Sequence, residues 1–188
     1  MQTTVKRRHI AIKDMVYCSI FTVLISLGAF IKIPIPVVPF TLQFLFTAMA
    51  GLILGSKRGA ISVALYALLG LLGLPIFSEG GGLSYVLIPS FGYILGFIFG
   101  TYITGKIVEI IRKKTLFVYL IANFSGLLIV YAIGMVYYYL ISNYVIDSPI
   151  GIWPLFLYCF FLAVPGDIFL CIATAMLAIR LKPLLAEL

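Results

Sequence analysis

From Thr115 to Ile146 the chain reads TLFVYLIANFSGLLIVYAIGMVYYYLISNYVI, without a single charged side chain. A helix needs about 20 apolar residues to cross the hydrocarbon core of a bilayer, and lipid offers no partner to an open backbone. The stretch therefore reads as a membrane helix with length to spare, one that tilts or projects beyond the lipid. The pattern repeats on both sides of it. Residues 15–31, 33–56, 59–78 and 80–105 carry no charge, and 148–179 carries Asp167 alone. These runs predict an all-α membrane protein, a single domain over 1–188 with six transmembrane helices. The spans are 14–33, 40–56, 59–75, 89–111, 115–142 and 152–181. Pro34, Pro36 and Pro39 break the chain between the first two, and Gly80, Gly81 and Gly82 lie in the connection after the third.

Composition agrees. The 188 residues are 63% hydrophobic and 10% charged, with a mean hydropathy of +1.21. A soluble domain is nearer half apolar and a quarter charged. The basic N-terminal residues precede an apolar run with no small-residue cleavage site after it, so that run is taken as a retained first helix and not a signal peptide. Cys18, Cys159 and Cys171 lie inside apolar runs and read as packing residues, with neither a disulfide framework nor a metal site implied.

Orientation follows from the cations. With the N-terminus inside, every Lys and Arg except Lys32 falls at a cytoplasmic end, from Lys6, Arg7, Arg8 and Lys13 to Arg180 and Lys182. That is the positive-inside distribution, and it puts both termini in the cytoplasm of a plasma-membrane protein. The net charge of +7 is thus topological, and nucleic acid is excluded as the partner it would otherwise suggest. The cytoplasmic connections are short. The three outer ones are longer and richer in Pro, Gly and polar residues, where function more often resides.

Asp167 is the most informative side chain. It lies about 20 Å of helix from either end of the last span. An acid at that depth costs about 2.5–3.5 kcal/mol or more, and such residues mark a ligand site, an ion path or a buried pair. Pro165 and Gly166 before it loosen the helix, which is tolerated at depth where backbone lines a cavity. The plainer alternative is a protonated Asp bonded to a neighbouring helix. Gln43 offers donors and acceptors near the start of the second helix, to a ligand or to another helix. Asn123 lies nearer the cytoplasmic end and reads as an interhelical hydrogen bond. The outer loop Phe77 to Tyr85 contains the three glycines and reads as a hinged lid or as an ordinary flexible turn. Tyr85, Tyr93, Tyr131 and Trp153 are pocket or interfacial-belt aromatics, with Tyr93 favoured for a pocket. Two stripes of small residues, Gly92-Gly96-Gly100 and Cys18-Thr22-Ser26, suit close helix packing within the chain or docking of another membrane subunit.

The sole histidine, His9, lies in the N-terminal tail, so no His-based catalytic or zinc site is available inside the membrane. Gly51 to Lys57 lacks the spacing of a phosphate-binding loop. No catalytic residue or cofactor is assigned, and an enzyme is the weakest reading beside a solute-binding subunit or a stand-alone carrier or channel.

The ordered blocks Pro39-Phe40-Thr41-Leu42-Gln43, Ala50-Gly51-Leu52-Ile53-Leu54-Gly55 and Lys57-Arg58-Gly59-Ala60 lead to Gly70-Leu71-Leu72-Gly73-Leu74-Pro75-Ile76-Phe77. The glycines 80–82, Gly92-Tyr93-Ile94-Leu95-Gly96-Phe97 and Pro165-Gly166-Asp167 follow. Together they resemble the BioY family, the biotin-binding S-components of energy-coupling factor importers, over nearly the whole chain. The resemblance implies a six-helix protein that holds biotin near its outer face. It implies delivery through a membrane coupling subunit and two cytoplasmic ATPases. The expected pocket comprises Asp167 for the ureido N–H donors and Gln43 or Tyr93 for the carbonyl. Phe77, Tyr85, Tyr93 and Tyr131 would form its walls, with Gly81 and Gly82 in the loop. Cys18, Thr22 and Ser26 take the place of the family's small docking face. Two positions depart from the family: Leu170 stands where a lysine is common, and Ile88-Pro89-Ser90-Phe91 replaces Gly-Pro-Thr-Gly. An S-component for another vitamin is the nearest alternative.

Overall fold

The structure, a computed structural model, describes residues 12–33, 40–113 and 115–186, with side chains given as far as 182. Helix α1 spans Ile12–Phe30, α2 Gln43–Leu54, α3 Ser56–Leu71, α4 Phe91–Ile111 and α5 Leu116–Tyr144. The sixth helical run is broken into α6 (Ile152–Phe156), a π-helical turn (Leu157–Phe161) and α7 (Val164–Ala186). The described residues are thus mostly helical, with six long helical runs and a short 3-10 turn at Leu83–Leu87. Four of them (α1, α4, α5 and the run from Ile152 to Lys182) are long and apolar enough to cross a membrane.

Helices α2 and α3 are shorter than the spans read from the sequence. At 12 and 16 residues they measure about 18 and 24 Å. Before α2 the chain runs as a two-stranded hairpin, β1 (Lys32–Ile33) antiparallel to β2 (Phe40–Thr41). Extended backbone there replaces what a hydropathy window reads as helix. The three prolines between the strands lie outside the described residues, as do Lys6, Arg7, Arg8, His9 and Lys114. Helices α2 and α3 join through Gly55 alone, whose φ of +84° turns the chain within one residue. Ser56, the first residue of α3, gives both its N–H and its hydroxyl to Glu109 of α4, the N–H at 2.7 Å. Thr115 caps α5, its hydroxyl accepting from the Val118 N–H at 3.4 Å.

The stripe Gly92-Gly96-Gly100 faces α5. A methyl group added to Gly96 would come within 2.8 Å of the Val130 carbonyl oxygen, and one added to Gly100 within 2.8 Å of that of Gly126. The small residues therefore serve packing inside the chain, where backbone meets backbone. The Cys18-Thr22-Ser26 stripe behaves likewise over most of its length. Cys18 and Thr22 are buried, and the Thr22 hydroxyl lies 2.9 Å from the Ser62 carbonyl of α3. As a docking face it is covered by α3 at two of its three positions.

One end of the bundle carries the single-residue turn at Gly55 and the 112–115 connection. The other gathers the β hairpin, the loop 72–90 and the connection 145–151. At that loop-rich end α5 is tied to both neighbours. Its Tyr137 hydroxyl donates to the Val86 carbonyl at 2.5 Å, and Asn143 donates to the Ile150 carbonyl at 3.2 Å.

Candidate functional site

A cavity opens beneath the loop-rich end. Its lining comes from β2 and the start of α2 (Phe40, Thr41, Gln43, Phe44), the loop (Ser78, Tyr85, Ser90) and α4 (Tyr93, Ile94, Phe97). The far wall is α5 (Leu127, Val130, Tyr131), and the floor is the broken sixth run (Tyr158, Cys159, Ala163, Asp167). Each helix contributes residues at helical spacing, Tyr93 with Phe97 and Leu127 with Tyr131, so one face of each is turned inward.

Asp167 is buried at the cavity floor in the first turn of α7. Pro165 has no N–H to give to the carbonyl four residues back, and here the α-helical ladder gives way to the wider π turn. The Leu162 N–H reaches back to Leu157, and α7 then restarts at Val164. The restart brings a helix N-terminus to mid-bundle, and an acid in the first turn meets its favourable dipole. The Tyr131 hydroxyl donates to Asp167 Oδ2 at 2.5 Å. Tyr131 is held by Phe160, ring centroids 5.0 Å apart, and by Tyr93 at 6.4 Å. Tyr93 donates to the Cys159 carbonyl at 3.4 Å, within the π turn. Gly166 permits the hairpin to close over this floor, because a methyl group there would lie 2.7 Å from the Phe40 ring.

Gln43 faces the cavity and is also held from behind. Its amide donates to the Tyr66 hydroxyl at 2.7 Å, and its oxygen accepts from Thr41 at 3.4 Å. Gln43 thus bridges helices and also lines the cavity. Asn123 makes the interhelical bond expected of it, donating to the Cys171 carbonyl at 3.0 Å.

Of the eight expected pocket residues, Asp167, Gln43, Tyr93, Tyr85 and Tyr131 line the cavity. Phe77, Gly81 and Gly82 stand one layer back. Phe77 is 1% exposed and lies on Gly70, where a Cβ would overlap its ring. It packs against Tyr66, Tyr85 and Phe91 at centroid distances of 5.3, 4.5 and 6.4 Å. Gly81 sits against the Leu74 carbonyl, and the Gly82 N–H returns to the Gly70 carbonyl at 2.7 Å. These residues shape the loop that puts Tyr85 in the wall. The sequence reading missed Phe40, Thr41, Ser78, Ser90, Phe97 and Tyr158. Phe97 was signalled by its spacing from Tyr93, whereas the others depend on the hairpin, the loop path and the π turn. Lys32 stands at the mouth, its ammonium donating to the Ser78 carbonyl at 2.9 Å.

The site is thus a largely aromatic chamber with one carboxylate at its floor, amide and hydroxyl groups on its walls, and two chain segments across its mouth. Such a chamber suits a small, largely apolar solute that carries N–H donors. The BioY family model matches residues 1–187. A relative from Lysinibacillus sphaericus, described as a probable biotin transporter BioY, is 40% identical over 89% of this chain and 86% of its own. The biotin transporter BioY of Thermotoga maritima is 37% identical over 93% of this chain and 99% of its own. A crystal structure of the S-component for biotin from an ECF-type ABC transporter superposes with a TM-score of 0.76. Its identity is 28%, covering 97% of this chain and 95% of that one. The chain belongs to the BioY family.

Proposed function

We propose that the chain is the biotin-binding S-component of an ATP-driven importer, taking the vitamin into the cavity from outside the cell. The observation that carries the reading is the buried Asp167 carboxylate at the floor of an aromatic chamber. Biotin presents two parallel ureido N–H donors beside a carbonyl, on an otherwise apolar bicycle. The carboxylate accepts from the donors, Tyr131 holds it in position, and Gln43 or Tyr93 meets the carbonyl. The rings of Phe40, Tyr85, Tyr93 and Phe97 cover the bicycle. Loop 77–85 and the β hairpin close the mouth. Relatives described as biotin transporters, and the solved S-component for biotin, support this ligand over another vitamin.

The finer topology belongs to the same proposal. Six helical runs cross the bilayer with both termini in the cytoplasm, and the loop-rich end faces out. The positive-inside distribution of Lys and Arg supports this, since Lys32 alone stands at the loop-rich end. The chain carries no phosphate-binding loop, so ATP is hydrolysed by two cytoplasmic ATPases joined through a membrane coupling subunit. The test is titration calorimetry of the purified protein with biotin beside thiamine and riboflavin. Saturable, selective biotin binding is expected. Absence of biotin binding by folded protein overturns the substrate.

A further inference from the structure

The side-chain amide of Gln43 is held at both ends by the protein. Its nitrogen donates to the Tyr66 hydroxyl of α3 at 2.7 Å, and its oxygen accepts from the Thr41 hydroxyl of β2 at 3.4 Å. An amide nitrogen carries two hydrogens, so one N–H is left over. Gln43 lines the cavity, and that second N–H is the donor it has to give there.

Tyr66 stands behind the wall. It is fully buried and is not among the lining residues. Its ring meets the edge of Phe77, centroids 5.3 Å apart, and Phe77 in turn lies on Gly70, one turn further along α3. Packing therefore sets where the Tyr66 hydroxyl sits, and the hydroxyl sets the amide. A glutamine has three rotatable bonds, and a ligand that had to freeze them on arrival would bind less tightly. Tyr93, the other group placed to meet a carbonyl, is less available. Its single O–H is directed at the Cys159 carbonyl at 3.4 Å, inside the π turn.

We propose that Tyr66 is a positioning residue for ligand recognition. By taking one N–H of Gln43 it turns the other toward the ureido carbonyl of biotin, so that Gln43 serves the ligand as a donor. The inference rests on the biotin reading above and deepens it. The site then divides its labour to match the ligand: Asp167 accepts at the floor, and Gln43 donates from the wall.

The test compares biotin with 2′-thiobiotin, which keeps both N–H groups and exchanges the carbonyl oxygen for sulfur, a weaker acceptor. Titration calorimetry of the intact chain in detergent or nanodiscs gives the ratio of the two affinities. Gln43→Ala should lower the preference for biotin about 2- to 10-fold, the span of one neutral hydrogen bond. Tyr66→Phe, which keeps the ring, should lower it in the same direction by about twofold or more. Thr41→Val, which frees the other end of the amide, should do likewise. With Gln43→Ala already in place, neither change should move the ratio further. A role confined to packing would weaken both ligands by one factor. An unmoved ratio in Tyr66→Phe and Thr41→Val, or an equal fall for Tyr66→Phe with and without Gln43, overturns the inference while leaving biotin as the ligand. Failure of the parent protein to bind biotin overturns the biotin reading and this inference with it.

Discussion

Asp167→Asn separates what the carboxylate gives to binding from what it gives to the fold. The carboxylate is buried and accepts one hydrogen bond, from Tyr131. Its two oxygens offer about four acceptor positions, leaving room for two N–H donors of a ligand. In the Asn variant one oxygen becomes an NH2 group that meets those donors as a third donor. One charge-assisted bond of about 1.5–3 kcal/mol is lost, which is a roughly 10- to 150-fold weakening of biotin. Stability moves the other way or not at all, because the variant removes a charge from a site shielded from water. Calorimetry gives the affinity and a thermal melt gives the fold. Gln43→Ala should cost less, because a neutral hydrogen bond is worth about 0.5–1.5 kcal/mol. Biotin affinity of Asp167→Asn within twofold of the parent would refute the reasoning and leave the acid as a helix-to-helix contact.

Gly70→Ala should lower Tm and weaken biotin together, since the added methyl overlaps the Phe77 ring behind Tyr85. Overpacking of this kind costs about 1–3 kcal/mol, offset by about 1 kcal/mol of helix propensity; a melt and a titration check it. Lys32→Met frees the hairpin from the Ser78 carbonyl, so biotin should dissociate several-fold faster in stopped-flow exchange. Biotin methyl ester should speed up equally, because the lysine acts on the mouth and not on the ligand's charge. Orientation is checked with a membrane-impermeant maleimide, the native Cys18, Cys159 and Cys171 being buried. Ser148→Cys should react in intact cells and Lys113→Cys only after lysis.

Charge spacing made the helices legible because membrane burial excludes charge over a full span, a signal that needs no tertiary context. It mislocated ends for the same reason. Lys57 and Arg58 lie inside the first turn of α3, and Lys106 and Glu109 inside α4, so charges mark the lipid boundary and not the end of hydrogen bonding. The β hairpin was hidden because its strands are two residues each, too short for an alternation to register. Among the cavity residues, Asp167 was legible from its depth and Tyr93 from its place one turn inside its helix, whereas Tyr131 entered the expected pocket through the family resemblance. Phe77 and Tyr85 were not separable, because which ring of a loop faces the ligand depends on the path of that loop over Gly70. The π turn left one sign, the Pro165-Gly166 pair, which locates a break without describing its geometry.

Helix α5 has 29 residues, about 43 Å of helix, against a hydrocarbon core of about 30 Å. On the proposed topology, and where the helix does not take up the surplus by tilting, its outer end stands clear of the lipid as a post, and its Tyr137 holds the Val86 segment beside the cavity. A water-soluble macromolecule gripping that post would control vitamin entry without touching the membrane. Conformation-selective antibodies raised against residues 137–150 should therefore divide into those that trap biotin and those that shut it out.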